Sequence, residues 1–164
     1  MALTFTVLGE PKPKGSFRAY TYKRKPEKGG GFGARATNDN PATTSWQNRI
    51  AFEATTAQRR GGVQLVLAGG IEIQVTFYLP RPKSLSKSYA GPHLKKPDLD
   101  KLQRALLDAL KGVLYEDDSQ VVFMEAWKFY AAIGTEPRAE ITVVPVALAS
   151  PARPLFERTA PDGR

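Results

Sequence analysis

Residues 95–122, which read KKPDLDKLQRALLDALKGVLYEDDSQVV, decide the fold of this chain. Apolar residues recur through this stretch at the spacing of a helix and predict one amphipathic helix over residues 99–111. The apolar positions are Leu99, Leu102, Leu106, Leu110 and Val113. Asp100, Arg104 and Asp108 follow one another at four-residue steps on the opposite side of the same helix. The stretch therefore predicts a helix with one buried face and one polar face.

Carboxylates stand at both ends of this predicted helix, in a chain whose formal net charge is +8. Asp98 and Asp100 begin the helix, and Asp117 and Asp118 follow its end. Each group has an ordinary structural interpretation, as a helix cap, a favourable charge in the first turn, or a turn before a strand. Paired carboxylates also suit Mg²⁺, which prefers oxygen ligands. From the residues alone, both interpretations stay open.

Composition limits the classes of protein to consider. The 164 residues are 41% hydrophobic and 10% aromatic, which is typical of a single globular domain. Lys and Arg number 24 against 16 Asp and Glu, an excess that favours a polyanionic partner, nucleic acid ahead of an anionic membrane surface. With no cysteine and one histidine, the sequence excludes disulfides, thiolate catalysis and a multi-histidine metal site. Any metal would be held mainly by carboxylates, which favours Mg²⁺, with Mn²⁺ as a substitute.

The same survey predicts where the protein works. No apolar run approaches the length that a bilayer crossing needs, so we expect no membrane partner. Residues 3–9 are too short and too polar to be the core of a signal peptide. The absence of cysteine agrees with a cytoplasmic location, which is the location we expect.

Basic residues cluster in two segments, 10–37 and 81–96, that we predict to be loops. The first segment interleaves its cations with Tyr20, Tyr22 and three glycines, which favours a flexible loop that follows phosphates. A solvated loop whose charges only confer solubility is the alternative. The second segment holds five cations and no acid, and it leads directly into Asp98. The predicted nucleic-acid-binding residues are Lys12, Lys14, Arg18, Lys23, Arg24, Lys25, Arg81, Lys83, Lys95, Lys96 and Lys101.

An earlier helix is predicted between these two basic segments. Residues 38–41 form its entrance, with Thr43, Thr44 or Ser45 as candidate caps. The apolar stripe consists of Trp46, Ile50 and Ala54, widened by Ala51 and Phe52. Two arginines and two glycines at residues 59–62 predict the end of the helix.

Alternating apolar and polar residues predict four strands, at residues 3–8, 71–79, 120–130 and 138–146. We expect the last two to form a hairpin. Together the elements predict an α/β (α+β mixed) fold, with a small mixed β-sheet of about four strands, two main helices and the order β-α-β-α-β-β. Residues 1–146 form the predicted domain. Residues 147–164 contain three prolines without periodicity and predict a mobile tail, with an arm on a partner or on DNA as the alternative.

The acidic stretch resembles the RusA family of Holliday junction resolvases, many of them carried by phages or prophages. The helix motif of that family is similar to K-P-D-x-D-N-L-x-K-A-x-x-D-A-L, followed by D-D-x-Q-V. The matching residues are Lys96, Pro97, Asp98, Asp100, Leu102, Ala105, Asp108, Ala109, Leu110, Asp117, Asp118, Gln120 and Val121. Residues 13–15 and 77–83 and the approach to His93 also resemble phage-type members. The resemblance spans most of residues 3–146.

The resemblance implies a RusA-like α/β fold with a mixed sheet, a homodimer, and magnesium-dependent nicking of four-way DNA junctions. The predicted catalytic residues are Asp98, Asp100, Asp118 and Arg104, and the predicted metal ligands are Asp98, Asp100, Asp118 and Asp117. Two residues depart from the family pattern, since Lys101 replaces the usual asparagine and Arg104 the usual lysine. Lys101 could compete with the metal for the neighbouring Asp100, and Arg104 presents a planar fork rather than a compact ammonium.

The expected function is that of a magnesium-dependent, structure-selective endonuclease that resolves Holliday junctions by paired symmetric nicks in recombination and repair. Branched DNA and a second copy of the chain are the expected partners, without a small-molecule cofactor. Two alternatives share the same residues: a junction-binding protein that has lost catalysis, and a nuclease acting on flaps or other branched DNA. Cleavage in the presence of metal separates the first alternative from the expected function.

Helix length raises a question about how the acidic residues meet. A helix over residues 99–111 is roughly 20 Å long, so Asp98 and Asp118 begin at opposite ends. Residues 112–117 would have to run back beside the helix almost fully extended to bring them together. Otherwise Asp118 meets the Asp98 of a partner subunit. The second arrangement makes dimerisation part of building the site.

Overall fold

A computed structural model describes residues 2–15, 18–25, 27, 30–37, 41–62 and 69–146, with the side chains of 18–20 and 34–37 left aside. These residues contain six strands, two α-helices and one short 3₁₀ helix. The strands are β1 (Leu3–Leu8), β2 (Arg18–Lys23), β3 (Phe32–Thr37), β4 (Gly70–Leu79), β5 (Val121–Tyr130) and β6 (Arg138–Val146). The helices are α1 (Pro41–Gly61), α2 (Leu99–Leu110) and the 3₁₀ helix Asp118–Gln120. None of the helices in this described part of the chain combines the length and hydropathy that a membrane crossing requires.

Four strands form one mixed sheet in the order β1-β6-β4-β5. Strand β6 pairs antiparallel with β1 and β4, whereas β5 pairs parallel with β4. This mixed four-stranded sheet with two helices confirms the predicted fold class. The predicted hairpin of the last two strands is wrong, because β4 lies between β5 and β6. Strand β5 consequently stands at the edge of the sheet.

The first basic segment is not a loop throughout, and that part of the prediction is wrong. Strands β2 and β3 pair antiparallel, from Arg18 opposite Thr37 to Lys23 opposite Phe32. Gly30 and Gly31 adopt positive φ angles of 57° and 82°, which permit the chain to reverse between the strands. Charge indicated exposure correctly at Lys23, Arg24 and Lys25, but exposed charge does not prevent the formation of a strand.

The core lies between the two helices and one face of the sheet. Helix α1 contributes Trp46, Ile50 and Ala54 to this core, as the apolar stripe predicted. Phe52 is instead 67% exposed, because two residues of helix turn it about 200° away from Ile50. Helix α2 buries Leu102, Ala105, Leu106, Ala109 and Leu110. Its predicted position is confirmed, and Gly112, with φ +75°, follows its end.

The predicted caps of α1 are wrong, because the helix begins at Pro41, a residue that suits the first helical position. Thr43 lies inside the helix, and its hydroxyl donates to the carbonyl of Pro13 at 2.8 Å. This bond fastens the first basic segment to α1. Residues 38–40 of the predicted entrance, and the predicted tail at 147–164, lie outside the described residues.

Candidate active site

The N-terminal end of α2 presents two exposed carboxylates. Asp98 occupies the N-cap position with an extended backbone, but its side chain makes no capping hydrogen bond. The Asp98 Oδ2 atom lies 3.0 Å from Lys101 Nζ, and this ion pair lowers the pKa of Asp98 below its usual value. Asp100 is exposed in the first turn of the helix. Capping therefore does not account for the Asp98 side chain, and both carboxylates are accessible from solvent.

The contact of Lys101 differs from the one expected. Its ammonium pairs with Asp98, three residues earlier, rather than with the adjacent Asp100. Residues three apart on a helix lie on the same side, whereas adjacent residues point about 100° apart. Any competition between Lys101 and a metal ion therefore concerns Asp98.

Both carboxylate oxygens of Asp117, which follows the C-terminal end of α2, have partners within the fold, and the side chain remains 54% exposed. Its Oδ1 atom accepts from the Ser119 N–H at 3.0 Å, and its Oδ2 atom lies 2.6 Å from Lys111 Nζ. The Gln120 side chain accepts in return from the Asp117 N–H at 3.0 Å, which completes a capping box. The ion pair with Lys111, helped by Ser119, holds the pKa of Asp117 well below its usual range. The structural interpretation as a turn thus accounts for Asp117.

Asp118 lies beside Tyr115, at the same end of α2. The Tyr115 side chain is fully buried, and its hydroxyl donates to the carbonyl of Leu107 at 2.9 Å. Burial, and then the nearby charge of Asp118, raise the pKa of Tyr115. The Gly112 N–H donates to the Tyr115 carbonyl at 2.7 Å, which closes a tight turn. Residues 112–117 therefore do not run back beside α2 as an extended segment.

The two acidic ends do not meet within one subunit. Asp118 begins the 3₁₀ helix that immediately precedes β5, whereas Lys128, near the far end of that strand, donates to the carbonyl of Pro97 at 2.7 Å, next to Asp98. The part of β5 from Val121 to Lys128 lies alongside Ile71 to Phe77 of β4, six residue steps that span roughly 20 Å. Within the described residues, no group of three or more histidine, cysteine or acidic side chains is arranged to hold a metal ion. A single subunit thus supplies Asp98 at one end and Asp118 at the other.

Comparison with known proteins identifies the family of this chain. The family model described as Endodeoxyribonuclease RusA matches residues 9–144. The chain belongs to the RusA family. A relative from Bacillus subtilis (strain 168), named Uncharacterized protein YqaN, is 31% identical over 155 residues. That alignment covers 86% of this chain and 94% of the relative. Membership of the RusA family confirms the resemblance found in the acidic stretch, and the family name indicates an endodeoxyribonuclease.

The predicted DNA-binding cations of this RusA-family chain fall into two groups. Those exposed to solvent are Lys23, Arg24, Lys25, Lys83, Lys95 and Lys96. Those engaged with the protein itself are Lys12 with Glu10, Lys14 with Asp108, Arg81 with the carbonyls of Ser86 and Tyr89, and Lys101 with Asp98. The side chain of Arg18 lies outside the described residues. The second basic segment forms turns and a single β-bridge at Pro92, so its prediction as a loop is confirmed.

Sequence reasoning missed Lys128, which contacts the segment leading into Asp98. Strand alternation places residue 128 on the helix-facing side of β5, with Met124, Ala126 and Tyr130. A lone lysine among inward positions indicates a specific partner, since a partly buried ammonium needs acceptors. His93 lies close by, buried, with its ring 4.4 Å from that of Tyr130. Burial, and then the charge of Lys128, lower the pKa of His93.

Proposed function

We propose that this RusA-family protein is a magnesium-dependent, structure-selective endonuclease that resolves Holliday junctions by paired symmetric nicks. Its role is in DNA recombination and repair in the cytoplasm, with residues 1–146 acting as one endonuclease domain. The observation that carries the proposal is the pair of exposed carboxylates, Asp98 and Asp100, at the start of α2, with Asp98 not used as a cap. Carboxylates that a fold leaves accessible suit a hard cation, Mg²⁺ or Mn²⁺ in its place.

The proposed ligands are Asp98, Asp100 and Asp118. A magnesium ion bound there would polarise the phosphodiester and lower the pKa of the attacking water. Arg104 is exposed and lies one turn along α2 from Asp100, where a cation can stabilise the negative charge that grows on the phosphate. We expect Asp117 to position the chain beside Asp118 rather than to bind metal, because both of its oxygens have partners.

A homodimer would complete this site. Strand β5 pairs with β4 along one side, and among the described residues its other edge carries only the bridge from Phe129 to Pro92. Val122 and Trp127 on this edge strand are 61% and 53% exposed, which is unusual for large apolar side chains unless another surface covers them.

Twofold pairing of two such edges explains how the separated carboxylates would meet. Antiparallel pairing of β5 with a second β5 sets the start of each strand beside the end of the other. The same operation brings Asp118 of the partner subunit toward Asp98. Two symmetric sites would result, which matches the symmetry of a four-way junction cut on two strands of like polarity.

The exposed cations support binding to DNA shape rather than sequence. Lys23, Arg24 and Lys25 on the β2–β3 hairpin, and Lys95 and Lys96 before α2, are placed to contact phosphates. Phosphate contacts position a nuclease on branched DNA without reading its bases.

The test is cleavage of a labelled mobile four-way junction in Mg²⁺, with Asp98→Asn as the control. We expect symmetric paired nicks from the native protein and none from the variant. Asp98 makes no capping bond, so the variant should melt as the native protein does and should still bind the junction. Preferential cutting of flaps over junctions would replace the resolvase assignment with a flap nuclease.

One observation favours a second candidate, a junction-binding protein without catalysis. The Lys101 ammonium occupies Asp98 and could keep a metal ion away. Tight junction binding without cleavage in either Mg²⁺ or Mn²⁺ would support this candidate and overturn the nuclease.

A further inference from the structure

The segment that leads into Asp98 is held to the sheet by the side chain of Lys128. Its Nζ atom donates hydrogen bonds of 2.7 Å to the carbonyl of Lys95 and of 2.7 Å to the carbonyl of Pro97. These carbonyls lie on either side of Lys96, immediately before the proposed metal ligand. One side chain of β5 thus fixes the backbone from which Asp98 projects.

Further contacts fasten the same segment to the end of β5. The His93 N–H donates to the carbonyl of Lys128 at 3.0 Å, and Pro92 forms a β-bridge with Phe129. The His93 ring packs at 4.4 Å against the ring of Tyr130 and is almost entirely buried. The backbone of Lys128 therefore bonds to residue 93, and its side chain bonds to residues 95 and 97.

A lysine at this position calls for an explanation beyond packing. The helix-facing neighbours of Lys128 along β5 are Met124, Ala126 and Tyr130, so an apolar residue would continue the pattern. Lys128 is partly buried, and even partial removal of an ammonium from water is unfavourable unless acceptors replace the water. The two carbonyls are such acceptors, and hydrogen bonds from a charged donor are about twice as strong as neutral ones. The Lys128 ammonium therefore acts on the position of the backbone before Asp98, and not through burial of apolar area.

We propose that Lys128 is a positioning residue, which fixes the backbone of residues 95–97 and thereby aims the Asp98 carboxylate at its metal ion. Lys128 does not touch the reacting atoms in this proposal, and it acts only through Asp98. The inference rests on the proposed nuclease function. A displacement of about 1 Å in an active site costs on the order of a hundredfold in rate, so loss of both bonds should be measurable.

The test compares Lys128→Met, which removes both bonds, with Lys128→Arg, which can still donate to two carbonyls. Hydrogen exchange of the amides of residues 93–100, without metal or DNA, reports the backbone directly. Thermal stabilisation by Mg²⁺ reports metal binding, and cleavage of a four-way junction in saturating Mg²⁺ reports the rate.

For Lys128→Met we expect exchange at least about tenfold faster in that segment, and a Mg²⁺ midpoint for stabilisation raised about tenfold. The cleavage rate should fall by on the order of a hundredfold. Lys128→Arg should recover part of each loss. Lys96→Met is the matched control, because it removes a neighbouring exposed cation without removing a bond to the segment. It should weaken DNA binding, leave the exchange unchanged and not raise the Mg²⁺ midpoint, because loss of a positive charge that acts on Asp98 does not disfavour a cation there.

The outcomes separate this inference from the function on which it rests. Unchanged exchange in Lys128→Met, or faster exchange with an unchanged Mg²⁺ midpoint and rate, would overturn the positioning role while native cleavage upholds the nuclease. A native protein that neither cleaves nor gains stability from Mg²⁺ would overturn the function, and the positioning role with it. If Lys128→Met does not fold, Lys128→Gln makes the same comparison with a polar side chain of similar reach.

Discussion

The two ends of helix α2 carry the same residue type and use it in opposite ways. At the N-terminal end Asp98 holds the cap position and makes no capping bond, and its carboxylate pairs with Lys101. Beyond the C-terminal end, Asp117 accepts from Ser119 and pairs with Lys111. Both oxygens of Asp117 thus have partners within the fold, whereas the Asp98 carboxylate, which makes one ion pair, can bind a ligand.

The two ends also differ in what holds them. Tyr115 stabilises the C-terminal end from inside, through a buried ring and a hydroxyl bonded to Leu107. Lys128 holds the N-terminal end from the neighbouring strand, through carbonyls of the approaching segment. A buried aromatic side chain and its hydrogen bond thus maintain the C-terminal end of the helix. Hydrogen bonds from a side chain of the neighbouring strand maintain the N-terminal end, where we place the chemistry.

Junction cleavage should be lost most completely when either carboxylate is removed from the two ends of α2, which the proposed dimer brings together. Asp98→Asn and Asp118→Asn should each lower junction cleavage by at least about a hundredfold, because each removes a proposed ligand. If the site is shared between subunits, a mixture of the two variants should recover activity. In a mixed dimer one site loses both aspartates, and the other keeps both.

Random exchange of subunits predicts recovery of about a quarter of native nicking, as single rather than paired nicks. Nicking is measured on a junction labelled on each strand in turn, after the variants are unfolded and refolded together. A mixture as inactive as either variant alone would mean that Asp98 and Asp118 act within one subunit.

How far the sequence leads can be judged from these same elements. Local spacing was enough to predict α2 and its acidic ends, because the buried face of a helix appears in the sequence as apolar residues at every third or fourth position. The hairpin prediction for β5 and β6 failed because alternation identifies a strand and not its neighbour. The order strand-helix-strand from β4 through α2 to β5 did indicate that β4 and β5 run parallel, since parallel strands need such a connection.

The site was predictable only in part, for a related reason. Asp98 could be found from the motif, but whether its side chain caps the helix depends on the angle at which the chain enters. The bond from Lys128 to Pro97 joins residues 31 positions apart, and no local pattern records such a contact. The ion pair between Asp117 and Lys111 likewise depends on the turn at Gly112, which no local pattern in the sequence records.

A stability comparison sharpens the contrast between the two aspartates. Asp117→Ala should lower the melting temperature by several degrees, because it removes a cap and an ion pair. Asp98→Ala should leave the melting temperature nearly unchanged, because it removes only an exposed ion pair. Thermal unfolding of both variants at neutral pH, in low salt and without metal, measures the difference.

The dependence of stability on pH, measured below neutral pH, gives the sign of the contribution that Asp117 makes to the free energy of unfolding. The folded state holds the pKa of Asp117 below its usual value, so the unfolded chain takes up a proton first as pH falls. The advantage of the native protein over Asp117→Ala should therefore be complete at neutral pH and decline below about pH 4. An equal loss of stability in the Asp98 and Asp117 variants would contradict the division of roles.

Tyr115→Phe tests the internal support of the C-terminal end. Loss of the hydroxyl removes one of the two hydrogen bonds to the Leu107 carbonyl, which also accepts from the Lys111 N–H, and should cost about 1 kcal/mol of unfolding free energy at pH 7.5. Burial raises the pKa of Tyr115, so above about pH 10 the unfolded native chain loses its tyrosine proton more readily than the folded one. The native advantage should then shrink as pH rises. Urea unfolding at pH 7.5 and 10.5 measures both values, and a pH-independent difference would mean that the phenol titrates normally in the fold.

Lys101, which departs from the family pattern at the N-terminal end of α2, should have the smallest effect on metal-dependent cleavage. Lys101→Asn restores the usual asparagine and frees Asp98 from its ion pair. An exposed pair is weak, so we expect the Mg²⁺ midpoint for cleavage to fall by only about two- to fivefold. The same change removes a cation that can attract phosphate, so junction binding should weaken and depend less steeply on salt.

Titrating Mg²⁺ at saturating junction separates the two effects, with Lys95→Asn as a control that removes an exposed cation without touching Asp98. If Lys101→Asn raises the Mg²⁺ midpoint, the Lys101 ammonium assists the site by orienting Asp98, and the N-terminal carboxylate is then as dependent on its lysine as Asp117 is on Lys111.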